Sequence, residues 1–226
     1  MELDKKVKYS IDKFYFDNHR ILKDGSEEGL NIYQNNMGRL EGGRQHDPKY
    51  NNENTKYQIY TFGCSWTYGW DLLQEQTFTH LLGNKNTSVH NYGAGGTGLD
   101  FAAKTLSEVY IPTSTRQIFI ITTPHFFRRT WFDDDGVVYK PWEVKEKINV
   151  NEYNNYFYFL HHYNMLNTFV GRDKIIWGTW DGSLPKEHFD VFFERVDYTS
   201  DGLHPGPKSH KQYAEKIKNV LQNRFK

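Results

Sequence analysis

One cysteine, Cys64, stands in the whole chain of 226 residues. No disulfide can form within it, so the fold must rest on a hydrophobic core and not on a covalent framework. Net charge is absent as well, since 28 Lys and Arg balance 28 Asp and Glu. No overall basic field is left to attract nucleic acid and no acidic excess to keep a tail disordered, and no nucleic-acid partner is expected. No apolar run approaches membrane-spanning length, so no membrane partner is expected either. The opening stretch, Met1 to Lys6, lacks the apolar segment of a signal peptide. The expected compartment is therefore the cytoplasm of the cell that makes the protein, with release by lysis or as part of a particle still open.

Hydrophobic residues are few at 37%, but aromatics reach 17%. A core built on Tyr, Phe and Trp follows, with rings to spare for a binding surface, and disorder of the whole chain is excluded. The length suits one substantial domain. Residues 1–56 are the least regular part, with turns at Asp24-Gly25-Ser26 and Gly42-Gly43 and an Asn-rich loop at Asn51 to Asn54. They read as an extension packed on a domain formed by residues 57–226, with a lid or an oligomer contact as the alternative.

From Tyr57 the pattern becomes regular. Tyr57 to Phe62 predicts a strand, and Phe78, Leu81 and Leu82 a helix stopped at Gly83. Ser88 to Asn91 predicts a second strand, followed by the glycine-rich turn Tyr92 to Gly98. An amphipathic helix follows over Leu99 to Tyr110, and a buried strand over Gln117 to Thr122. Three strand–helix alternations predict an α/β fold with a mainly parallel sheet of about five strands. Pro124 to Glu143 interrupts the alternation as a hairpin with the turn Asp133-Asp134-Asp135-Gly136, which fits a plain turn better than a calcium loop. A helix over Asn151 to Val170, with Tyr156, Leu160 and Tyr163 on one face, then leads to strands at Lys174 to Trp180 and Asp190 to Phe193. A last helix follows Pro207 and turns Tyr213, Ile217, Val220 and Leu221 inward.

The chemistry gathers at two places. Gly63-Cys64-Ser65 puts a hydroxyl at the carboxyl end of the first strand, where α/β proteins hold nucleophiles and ligands; a Ser there also caps helices. Asp201-Gly202-Leu203-His204-Pro205 places a carboxylate three residues before an imidazole in a rigid loop. Such a pair can orient and charge-stabilise a general base. Cys64 is a rival nucleophile, though its side chain should point away from Ser65 into the core. No Cys or His cluster has ligand spacing, and His161 and His162 diverge on a helix, so neither metal nor cofactor is expected.

These blocks, with Asn91-Tyr92-Gly93-Ala94-Gly95-Gly96 between them, resemble the SGNH (GDSL-like) hydrolases over residues 57–226, and their order is that family's order. The style of the sequence is similar to phage-encoded or bacterial members. The resemblance implies a three-layer α/β/α, flavodoxin-like sandwich and ester hydrolysis through an acyl-serine. By position, Ser65 is implied as nucleophile, His204 as general base and Asp201 as its partner. Gly96 matches a glycine whose backbone N–H helps form the oxyanion hole; a tight turn needing positive φ would explain it equally. The family's third block, Gly-x-Asn-Asp, is missing. The strand runs into Thr123-Pro124-His125, so Thr123 or His125 is left to supply the side-chain donor. Trp66, Tyr68 and Arg128 (with Arg129 beside it) are candidates for contacting substrate, the first two also fitting a core. The expected substrate is a small-molecule or glycan ester, by O-acyl or O-acetyl hydrolysis. A degenerate fold that binds a glycan or protein, and an acyltransferase using the same three residues, are the alternatives.

Overall fold

A computed structural model describes residues 55–112, 114, 116–125, 128–132, 138–139 and 152–225. The expected N-terminal extension, apart from Thr55 and Lys56, and the turn Asp133 to Gly136 lie outside the described residues.

Five parallel strands form the main sheet, in the order β2-β1-β3-β6-β7. They are β1 (Tyr57–Gly63), β2 (Thr87–Gly93), β3 (Gln117–Thr123), β6 (Ile175–Thr179) and β7 (Val191–Phe192). A separate antiparallel pair, β4 (Trp131–Phe132) with β5 (Val138–Tyr139), forms the hairpin. The helices are α1 (Ser65–Tyr68), α2 (Phe78–Leu82), α3 (Leu99–Val109), α4 (Glu152–Leu166) and α5 (Pro207–Arg224).

Alternation along the strands sends neighbouring side chains to opposite faces and so builds two cores. Tyr60, Phe62, Phe119, Ile121 and Trp177 face α3 and α4, where they meet Leu106 and Phe159. Ile59, Ile118, Ile120 and Ile176 face α2 and α5, where they meet Phe78, Tyr213 and Ile217. The result is the expected three-layer α/β/α sandwich. Stacked rings fill much of the first core; Tyr60 lies on Phe119 and Phe62 on Tyr92, each with centroids 5.5 Å apart.

Two elements differ from the sequence reading. β2 is longer than Ser88 to Asn91, because it pairs with β1 from Tyr57↔Thr87 to Gly63↔Gly93. The long helix ends its α-helical part at Leu166 and continues as a π turn, Asn167–Gly171. On its face Phe159 is the ring buried at 1% exposure, while Tyr156, Leu160 and Tyr163 pack at the margin.

What positions the site is the strand order. The chain leaves β1 for β2 on one side, then crosses to β3 on the other. A crevice opens outside the carboxyl ends of β1 and β3, where such a reversal places ligands in open α/β sheets.

Candidate active site

At the end of β1, Gly63 lies opposite Gly93 of β2, and the two leave a floor without side chains. The short helix α1 sits directly on it. A Cβ built on Gly93 would lie 2.3 Å from the backbone N of Tyr68, and one on Gly63 2.2 Å from Thr67 Oγ1. Asn91 fastens α1 from the side. Its Nδ2 donates to the Thr67 carbonyl at 3.0 Å and to Thr79 Oγ1 at 3.2 Å, and its Oδ1 accepts from the Gly93 N–H at 2.9 Å. Ser65 does not cap this helix. The cap position belongs to Cys64, whose side chain makes no capping bond, and Ser65 is the first helical residue. Cys64 itself is fully buried in the core beside α5.

The loop between β7 and α5 brings the other two residues in. The Thr199 N–H donates to the His204 carbonyl and the Gly206 N–H to the Asp197 carbonyl, each at 3.0 Å. Asp197 in turn accepts from the N–H groups of Lys208 and Ser209 and holds the start of α5. On this frame His204 Nε2 lies 3.0 Å from Ser65 Oγ, and His204 Nδ1 lies 2.5 Å from Asp201 Oδ2. The other Asp201 oxygen accepts from Thr199 Oγ1 at 2.7 Å, from the Leu203 N–H at 2.8 Å and from the His204 N–H at 3.0 Å. Burial pushes the Asp201 carboxyl upward. The hydrogen bonds from Thr199, His204 and Leu203 outweigh it and hold the group well below the usual carboxylate range. An ionised Asp201 only accepts, so the proton sits on His204 Nδ1 and leaves Nε2 free to accept from the serine hydroxyl.

Beside Ser65 runs the glycine turn that follows β2. A Cβ on Gly95 would lie 3.9 Å from Ser65 Cβ, and Gly96 is a buried residue at φ +79. That angle calls for glycine in its own right. Ser65, His204 and His125 share one cleft of about 1290 Å³, with Trp66, Arg128 and Trp180 among its walls.

Two expected residues stand elsewhere. Thr123 is 1% exposed and held within the sheet, where its carbonyl accepts from Thr179 Oγ1; it is not a wall of the cleft. Tyr68 is 2% exposed, with its ring tilted against Trp70, and is not a wall either. Both follow from where β3 and α1 end, since a step of one residue turns a side chain from the cleft to the core. Trp66 does reach the cleft, stacked on Trp180 with centroids 4.3 Å apart.

Asp181 escaped the sequence reading. It is 6% exposed, and its Oδ2 lies 3.0 Å from His125 Nδ1. Ser183 donates to its other oxygen through both N–H and hydroxyl. Burial raises its pKa, but the His125 and Ser183 hydrogen bonds prevail and lower it from 3.8 to about 2. The imidazole of His125 also stands edge-on to Trp180, centroids 4.0 Å apart. The signal was available: an Asp directly after a predicted parallel strand sits at the same sheet end as Ser65. Because the folded value is the depressed one, this carboxylate adds stability above its ordinary pKa and loses it as pH falls towards 2. Asp181→Asn is therefore expected to lower Tm at pH 5, and the gap to wild type should close by pH 2. A gap that stays constant across that range would contradict the assignment. Among the described residues no group of three or more His, Cys, Asp or Glu is placed to hold a metal ion.

No protein-family model matches the sequence, and no curated protein matches it. Solved structures do match the fold. A carbohydrate esterase whose active site displays divergent catalytic and non-catalytic binding functions superposes with a TM-score of 0.52 at 15% identity, over 76% of this chain and 66% of its own. The fold is that of the SGNH hydrolases. A member of the lipolytic protein G-D-S-L family from Veillonella parvula matches 74% of this chain and 98% of its own, at 12% identity and a TM-score of 0.47. A family two carbohydrate esterase from Clostridium thermocellum, in complex with cellohexaose, matches 77% and 66% at 14% identity and 0.47. At these identities the likeness is one of fold alone.

Proposed function

We propose that the protein is a serine esterase that hydrolyses O-acyl or O-acetyl esters of a carbohydrate or another polar substrate through an acyl-serine. The observation that carries this reading is the imidazole of His204, within hydrogen-bond distance of both Ser65 Oγ and Asp201. Ser65 Oγ attacks the ester carbonyl carbon while its proton passes to His204 Nε2, and the ionised Asp201 stabilises the imidazolium. The negative charge on the carbonyl oxygen is met by the N–H groups of Ser65 and Gly96, and by His125 when both its ring nitrogens carry protons, Nδ1–H on Asp181 and Nε2–H on the oxyanion. Collapse of the tetrahedral intermediate breaks the bond to the alcohol oxygen, which takes the proton back from His204. Water then attacks the acyl-serine and gives a proton to His204; the bond to Ser65 Oγ breaks, Oγ takes that proton back, and the acid leaves. Trp66 and Trp180 offer ring faces of the kind that sugars stack on, and the likeness to a carbohydrate esterase is in line with a glycan substrate.

A second reading has one observation in its favour. β3 leads into Pro124-His125 where the SGNH pattern has an asparagine, so the fold could serve binding alone. A serine-directed fluorophosphonate separates the two. Labelling of the folded protein, mapped to the peptide that holds Ser65, is expected; a folded protein left unlabelled and inert towards p-nitrophenyl acetate would sink the esterase reading.

Close packing under α1 gives a second check. Gly93→Ala forces Cβ into the backbone of Tyr68, which should cost about 1–3 kcal/mol of stability. A shift of Ser65 by about 1 Å should also lower ester turnover by about 100-fold. Both are measurable on one preparation, by thermal unfolding and by p-nitrophenol release. Wild-type values for both would show that α1 does not depend on this floor.

A further inference from the structure

Arg128 and Arg129 are adjacent in sequence, yet the fold gives them opposite surroundings. Arg129 turns inward, its guanidinium carbon 3.3 Å from the centre of the Tyr158 ring and its Nη2 donating to Asn155 Oδ1 at 3.0 Å. Arg128 turns to the cleft that holds Ser65, with its guanidinium carbon 5.9 Å from the centre of the Trp180 ring. Its Nη1 is buried and meets no hydrogen-bond partner among the described residues. A buried charged donor without an acceptor is costly, so an acceptor from outside the described residues is what the position lacks.

The backbone that carries Arg128 is fixed. The Arg128 N–H donates to the His125 carbonyl at 2.9 Å. Two residues on, Thr130 Oγ1 accepts from the Gly98 N–H at 2.8 Å, and the Thr130 N–H donates to Asp100 at 2.7 Å. A Cβ on Gly98 would lie only 2.4 Å from the Arg128 carbonyl oxygen, so this segment lies flush on the start of α3. The carboxylates among the cleft walls are already engaged, Asp190 by Arg172 and Arg224 and Glu194 by Lys216. Arg195, whose guanidinium carbon is 5.7 Å from the centre of the Trp66 ring, and Lys186 add positive charge to the same walls.

We propose that Arg128 is an anion subsite of this cleft, and that the ester the protein takes carries a carboxylate or a phosphate. This deepens the esterase reading and rests on it for the word ester alone. The test pairs an O-acetylated methyl glucuronoside and an O-acetylated glucose 6-phosphate, each against O-acetylated methyl glucoside. Wild type should favour the anionic esters. In Arg128→Gln the anionic-to-neutral ratio of kcat/KM should fall by about 10- to 100-fold, the range for a charge-assisted hydrogen bond, and the change should lie in KM. Arg128→Lys should restore part of the ratio, since it restores the charge without the guanidinium fork. The two anionic arms tell whether carboxylate or phosphate is the partner.

A binding measurement needs no turnover. Calorimetry of Ser65→Ala with unacetylated methyl glucuronoside and with glucose 6-phosphate should show binding of at least one, lost on adding Arg128→Gln. Should Arg128→Gln fail to fold, competition by the same two anions, and not by methyl glucoside, is read on the wild-type protein. Neutral acetates hydrolysed in a Ser65-dependent way, with a ratio indifferent to Arg128, would overturn the subsite and leave the esterase standing. Anion binding that depends on Arg128, with no ester turned over, would do the reverse.

Discussion

Ser65→Ala and His204→Ala should each cut p-nitrophenol release from p-nitrophenyl acetate by about 10⁴-fold or more, because members of a triad act as a unit and a single loss costs nearly as much as all three. The structure sharpens the expectation. His204 Nε2 is already 3.0 Å from the hydroxyl it must deprotonate, and Asp201 is fully engaged in holding the ring. Asp201→Asn should be nearly as damaging, since an amide can donate to Nδ1 and so favour the wrong tautomer. Cys64 offers no rescue, being fully buried on the far side of the turn. Short acyl chains should be preferred. Exposed His and Lys hydrolyse activated esters slowly, so only loss on mutation counts. Turnover that survives Ser65→Ala would mean that another group does the chemistry.

His125→Ala should lower kcat by about 100- to 1000-fold with little change in KM, the cost of removing one oxyanion donor. Asp181→Asn should have a smaller effect of the same kind, about tenfold, because the ring stays while the carboxylate that pairs with its doubly protonated form is gone. The pair of variants separates contact from positioning. If His125 only lined the cleft, its loss would raise KM and spare kcat. If Asp181 only stabilised the fold, Asp181→Asn would lower Tm and leave kcat alone. An unchanged kcat in His125→Ala removes it from the oxyanion role, and the missing asparagine would then weigh towards the binding reading.

Much of this arrangement is legible from local chemistry. The strands at Tyr57, Gln117 and Ile175 are short aromatic and β-branched runs bounded by breakers, and α3 and α5 repeat their apolar residues at helical spacing. The loop from Asp201 to His204 carries its own rigidity in Gly202 and Pro205. Other features depend on contacts that no local pattern encodes. β7 is two residues long and is a strand only because β6 lies beside it. Thr123 and Tyr68 sit one step from the cleft, and which way they face depends on where a strand or a helical turn stops. Asp181 belongs to no motif; it matters because β6 places it beside His125, 56 residues away in the chain.

The parallel sheet has a consequence for when the proposed nucleophile becomes reactive. Ser65 and His204 are 139 residues apart in sequence, and neither can find the other until the intervening strands have been laid down in order. Pairings of such long range close late and slowly. A partly assembled chain therefore carries an ordinary serine with no base beside it, harmless to its own esters and to those around it. On the proposed reading, ripening of the nucleophile and completion of the fold are one event.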